Sequence, residues 1–141
     1  MFESQINRFE TIETGGILLG HLSEGTLFVE KASDSGPNAV HNQVYFRADA
    51  NYVDMFIDME VANSGGKNYY LGEWHTHPQI EPEPSDLDFE SLSDIANTSN
   101  EYSVLLILGA VEFLRSFIIR NSIVLVKYRD DPRFYQVKVI L

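Results

Sequence analysis

The stretch Gly72-Glu73-Trp74-His75-Thr76-His77-Pro78, with the segment Ser85-Asp86-Leu87-Asp88 behind it, decides how this chain is read. Tyr69–Thr76 has strand composition and Pro78 ends it. Residues i and i+2 of a strand face the same way, so His75 and His77 present two imidazoles to one side while Trp74 and Thr76 turn to the other. A pair of imidazoles leaves a cation under-coordinated, and a carboxylate from another element would complete three protein ligands. Asp88 is the candidate. Ser85–Ala96 reads as a helix in which Asp88, Leu92 and Ile95 fall at i, i+4 and i+7, the stripe that faces a sheet. An inward carboxylate is costly unless it is paired or binds a metal. The loop Ile80–Pro84, rich in proline, is stiff enough to hold the helix start against the strand end. Two histidines and one carboxylate, with a position left for water, form the donor set of a catalytic rather than a closed structural zinc site. Plainer readings stand beside this one. A His-x-His pair often faces solvent, and Ser85-x-x-Asp88 matches a capping box that satisfies helix-start amides.

Upstream, Glu13-Thr14-Gly15-Gly16 opens the apolar run Ile17–Leu22, and Leu27–Ala32 follows after Ser23-Glu24-Gly25, the pattern of a hairpin. The glycines allow another backbone to approach closely, and Glu13 then stands at a strand end. Alone, Glu13 also reads as a solvated residue before a turn. Ser33–His41 is a polar loop, and Gln43–Ala48 alternates with period two. Asp49–Ala62 reads as a helix, with Val53, Phe56, Ile57 and Val61 at helical spacing, Asp49 or Asn51 as its cap and Gly65-Gly66 as its stop. Tyr102–Leu108 is apolar enough for a central buried strand. Val111–Ile119 fits a helix or a strand equally. Ile123–Lys127 and Tyr135–Ile140 read as strands around the turn Asp130-Asp131-Pro132. The expected fold is α/β (α+β), a mixed sheet flanked by helices. Trp74, Phe89 and Leu92 are assigned to the core. Glu73 shares the ligand face and is a metal or ligand contact, or a structural pair at the site margin. His21 and His41 lack ligand spacing and read as surface or turn histidines.

A length of 141 residues suits one domain over 1–141. There is no cysteine, which removes disulfides, thiolate zinc sites and a cysteine nucleophile. The net charge of −11 repels phosphate backbones, so nucleic acid is not an expected partner, whereas a basic peptide would be attracted. The longest apolar stretch, Val104–Val111, falls well short of the roughly 20 residues a membrane span needs. Met1–Glu13 carries three glutamates and no apolar run, so no secretory signal is read there and a cytoplasmic location without membrane partners is expected.

Taken together, Glu13-Thr14-Gly15-Gly16-Ile17-Leu18-Leu19-Gly20, His75-Thr76-His77-Pro78, Ser85 and Asp88 resemble the signature of the JAMM zinc metalloproteases, the MPN-plus or Mov34-type domains, and in particular their compact prokaryotic members. All the elements stand at the family spacing. The resemblance implies a cytidine-deaminase-like JAMM/MPN fold over nearly the whole chain. It implies that His75, His77 and Asp88 bind Zn2+ with water as a fourth ligand. Glu13 would hold that water and serve as general base, and Ser85 would donate a hydrogen bond to the oxyanion. The implied activity is a metallopeptidase or isopeptidase cleaving the bond after the extended tail of a ubiquitin-like protein, with that protein or its conjugate as partner. Bacterial relatives of this kind accompany ubiquitin-like conjugation systems or trim sulfur-carrier proteins. Two other classes remain: an inactive MPN-type scaffold, and a non-haem iron oxygenase built on the same two histidines and carboxylate. A scaffold would lack ligands that are present here. Iron oxygenases usually embed the triad in an all-β barrel, whereas Asp88 opens a helix.

Overall fold

A computed structural model of the chain describes residues 1–9, 11–43, 46–78, 81–98, 101–113 and 116–138. Its elements, in chain order, are α1 (Phe2–Phe9), β1 (Gly15–Ser23), β2 (Thr26–Ala32), β3 (Val40–His41), β4 (Phe46–Arg47), α2 (Ala50–Asn63), β5 (Tyr69–His77), α3 (Asp86–Thr98), β6 (Tyr102–Phe113), β7 (Ser116–Tyr128) and β8 (Phe134–Val137). Six strands form one sheet in the order β2-β1-β5-β6-β7-β8, and β3 and β4 form a small ladder apart from it. Among the described residues only β5 and β6 pair in parallel, and the crossover between them carries α3. The mixed α+β architecture is the one the sequence implies.

The sheet buries both faces. Leu18, Leu71, Trp74, Val104, Leu108 and Val126 form one core cluster, and Phe2 of α1 packs on it with its ring 4.7 Å from that of Trp74, edge to face. Trp74 is fully enclosed and its Nε1–H donates to the carbonyl of Ser33 at 2.9 Å. On the opposite face Leu92 of α3 packs with Leu105, Ile107 and Leu125, joined by Phe89 and Phe134. That second face also carries His75, His77 and Glu73, and α2 and α3 lie over it.

Two glycines let the strands meet. A Cβ on Gly15 would fall 2.2 Å from the carbonyl of Trp74 and 2.9 Å from Cβ of His75, so only glycine lets β1 lie this close to the histidine strand. Gly72 has φ 150°, and a Cβ there would fall 1.9 Å from the carbonyl of Val104. Beside it the β1–β5 register shifts, with Leu18 opposite Gly72 and Leu19 opposite Tyr70, so Leu71 is the extra residue of a bulge. The bulge sends Leu71 into the Trp74 core and puts Tyr70 on the face of Glu73 and His75.

Several boundaries differ from the expectations. Helix α1 is not anticipated in the acidic N-terminal segment. The Asp49–Ala62 helix begins at Ala50, and Asp49 is its cap, accepting from the amide of Tyr52 at 3.3 Å. The strand expected over Gln43–Ala48 reduces to Phe46–Arg47 paired with Val40–His41, with 44 and 45 outside the described residues. Tyr102–Leu108 continues to Phe113, and Val111–Ile119 is divided between β6 and β7, a long hairpin rather than a helix, with 114 and 115 outside the described residues. Tyr135–Ile140 shifts to Phe134–Val137, with 139 and 140 likewise outside. Among the described residues no helix is long and apolar enough to cross a membrane.

Candidate metal centre

The C-terminal end of β5, the loop before β1 and the first turn of α3 converge. His75 Nε2 lies 3.1 Å from Asp88 Oδ1, His77 Nε2 lies 3.4 Å from Asp88 Oδ2, and the two imidazole nitrogens are 3.1 Å apart. One ligand atom from each of His75, His77 and Asp88 falls within 4.8 Å of the others, and all three residues are buried. Glu13 stands beside them, its Oε1 3.8 Å from His77 Nε2. Two neutral imidazole nitrogens and a carboxylate oxygen form a donor set that suits a divalent metal ion.

Asp88 and Ser85 hold each other. The amide of Ser85 donates to Asp88 Oδ2 at 2.7 Å, and the amide of Asp88 donates to Ser85 Oγ at 3.2 Å. This is a reciprocal capping box at the start of α3. It uses one Asp88 oxygen as a cap and aims the carboxylate at the histidines, so the capping and the ligand readings of Asp88 describe one geometry. Ser85 Oγ accepts in that pair, which leaves its own O–H to donate elsewhere. Ser85 is exposed at the mouth of the site.

Glu13 is fixed through its backbone. Its amide donates to the carbonyl of Asn42 at 3.0 Å, and its carbonyl lies 3.0 Å from His41 Nδ1. The next residue, Thr14, donates its amide to Thr76 Oγ1 at 3.0 Å, while the amide of Thr76 donates to the carbonyl of Thr14 at 2.8 Å. Thr76 lies between the two histidines, so the strand that carries them also sets the position of Glu13. His41, stacked on Phe9 with ring centroids 3.9 Å apart, is half-buried and is a brace for Glu13 rather than a surface histidine. Sequence reasoning missed this brace because it joins residues 28 positions apart. His21 lies at the other end of β1, 3.7 Å from Glu30.

The electrostatics follow from burial and pairing. Burial pushes the Glu13 carboxyl above its ordinary value; His77 and His75 pull it down and Asp88 reinforces the rise. Burial opposes ionisation of Asp88, but hydrogen bonds from His75, His77 and the Ser85 amide outweigh it and hold the carboxyl well below the usual range. Burial works against a charged His77, yet Asp88, Glu13 and a hydrogen bond to the backbone of Glu83 raise it. Burial also raises Glu73, which lines a cavity of about 740 Å3 between the sheet, α2 and α3.

Comparison with known proteins agrees with this arrangement. The family described as prokaryotic homologs of the JAB domain matches residues 4–123. A probable metalloprotease of Sinorhizobium fredii is 34% identical over 63% of this chain and 56% of its own length. A CD-NTase/cGAS isopeptidase of Escherichia coli is 29% identical over 82% of this chain and 73% of its own length. The match thus spans little more than half of the first of these relatives. The solution structure of a Desulfitobacterium hafniense protein superposes with a TM-score of 0.66 over 99% of this chain and 84% of its own, at 15% identity, which supports the fold. With the sequence match running from α1 into β7 and the His-x-His, aspartate and glutamate elements gathered at one point of the sheet, the chain belongs to the family of prokaryotic JAB-domain proteins.

Proposed function

We propose that this chain is a zinc-dependent peptidase or isopeptidase, and that it hydrolyses the bond after the C-terminal tail of a ubiquitin-like protein. The observation that carries the reading is the placement of a glutamate carboxylate, Glu13, against a buried cluster of two histidines and an aspartate. His75 Nε2, His77 Nε2 and a carboxylate oxygen of Asp88 would hold the ion. Bound zinc supplies Lewis acidity, lowering the pKa of a coordinated water to roughly 7 and polarising a carbonyl.

The chain's own groups do the rest. Glu13 is placed to accept the proton of the attacking water at a carboxylate oxygen and to return it to the nitrogen of the leaving amine. Its backbone is held by His41 and, through Thr14, by Thr76, which fixes the point from which the carboxylate reaches the cluster. Ser85, with its O–H not used in the cap, donates to the oxygen that gains charge in the tetrahedral transition state. No side-chain nucleophile is needed, in keeping with a sequence without cysteine. An extended basic tail suits an acidic protein, and the relatives named metalloprotease and isopeptidase favour a peptide or isopeptide bond.

The test uses zinc-loaded protein and a ubiquitin-fold protein joined through its C-terminus to a peptide or to a lysine side chain. Hydrolysis that stops with a chelator, returns with zinc and fails in Glu13→Gln supports the reading. A zinc-bound protein that cleaves neither linkage contradicts it.

A further inference from the structure

We propose that the cavity beside the candidate metal ligands is a subsite for a lysine or arginine side chain of the substrate, with Glu73 as its counter-charge. The inference rests on the peptidase reading and adds the residue type recognised next to the scissile bond. The cavity holds about 740 Å3 and reaches from His75 and Asp88 across β5 to the gap between α2 and α3. Ile17, Val53, Ile57, Ile95 and Leu105 give it apolar walls, and Glu73 stands among them with Tyr70 alongside.

Glu73 is half-buried, yet among the described residues no salt bridge or helix cap accounts for a carboxylate there, and His75 is the group that draws it toward the charged form. Arg47, the one cationic side chain among the described lining residues, lies outside ion-pair distance, while Asp54 and Asp94 add negative charge along the same lining. A half-buried carboxylate with no salt-bridge partner is costly, and a side chain that filled the apolar walls without bringing a positive charge would bury it further. An apolar sleeve with a carboxylate inside matches an aliphatic stem that ends in a cation. Glu73 and His75 are two residues apart on one strand, about 7 Å, so the stem of a residue adjoining the bond at the metal ligands reaches Glu73. The three ligand atoms of His75, His77 and Asp88 are already grouped, so the metal does not require Glu73.

The experiment measures kcat/KM of the zinc-loaded wild-type protein on ubiquitin-fold conjugates. The residue on the acyl side of the scissile bond, and separately the residue on the amine side, is Lys, Arg, norleucine, Gln or Glu. At one of the two positions Lys and Arg exceed norleucine by about 30-fold or more, and that position identifies the side the subsite serves. In Glu73→Gln the ratio of basic to norleucine substrate collapses toward one. Norleucine performing as well as lysine at both positions overturns the proposal. A second measurement needs no turnover: arginine amide is titrated into the metal-free protein while amide resonances around Tyr70, Glu73 and Leu105 are followed. Saturable shifts in the wild type that vanish in Glu73→Gln support the subsite even if no conjugate is cleaved, in which case the peptidase reading fails separately. Absence of saturable shifts in the wild type, or equal shifts in both proteins, overturns it.

Discussion

Ser85 and Asp88 exchange two hydrogen bonds, amide to carboxylate at 2.7 Å and amide to hydroxyl at 3.2 Å, and the same aspartate reaches both His75 and His77. A helix start and a candidate metal-ligand site are therefore one structure. Folding of α3 orients the carboxylate toward the histidines, which would lower the ordering cost on binding a cation.

Ser85 has two separable roles under this account. Ser85→Ala removes the cap and lowers stability by about 1 kcal/mol, whereas Ser85→Gly costs only a few tenths. Both lower kcat by about 10²–10³, the usual loss for one donor to a developing oxyanion. Denaturant melts and steady-state kinetics on the two variants read this out. Kinetic losses that differ between them as the stabilities differ would assign Ser85 to the cap alone.

Glu13→Gln keeps the ligands and therefore the metal. Metal analysis should find the wild-type stoichiometry, with turnover at background. His77→Ala should lose both the ion and the activity. Equal zinc content in His77→Ala and wild type would remove His77 from the ligand set.

Zinc binding should release protons near neutral pH. In the metal-free protein His77 titrates above its ordinary value near 6.5, held charged chiefly by Asp88 and Glu13 against the effect of burial. That raised value stabilises the metal-free fold fully below about 6.5, and the gain is lost as pH climbs through the folded value. A ligand imidazole must be neutral, so binding displaces the proton in the lower range and displaces none well above it. Calorimetry in buffers of different ionisation enthalpy measures the release, and a pH-independent binding heat in every buffer would contradict it.

Gly15→Ala should destabilise the protein by about 1–3 kcal/mol and weaken metal binding, because the new Cβ meets the Trp74 carbonyl and the His75 Cβ. A thermal melt with and without zinc tests this, and a wild-type melt in both conditions would show that β1 yields without disturbing the histidine strand.

How much of this was legible in the sequence depends on the range of the interaction. The two-residue spacing of His75 and His77 and the three-residue spacing of Ser85 and Asp88 are local, and local geometry carries directly into the fold. The bulge at Leu71 was not legible. Strict alternation places Tyr70 with Trp74, whereas the extra residue moves Tyr70 to the face of Glu73 and creates the floor of the cavity. Helix α1 was missed because five of its eight residues are polar, although Phe2, Ile6 and Phe9 fall at i, i+4 and i+7 and the fold buries Ile6 and packs Phe2 on Trp74. The stretch Val111–Ile119 has no periodicity that separates helix from strand, and its pairing within a long hairpin decides it. The clamp on Glu13 comes from His41, Asn42 and Thr76, all distant in sequence, so spacing held no trace of it.

The central claim is that His75, His77 and Asp88 together hold one zinc ion beside Glu13. Diffraction from zinc-grown crystals on either side of the zinc absorption edge tests it most directly. The account predicts a single strong anomalous peak at about 2.0–2.2 Å from an imidazole nitrogen of each histidine and an oxygen of Asp88. A peak elsewhere on the molecule, with these three side chains bound to one another instead, would contradict it.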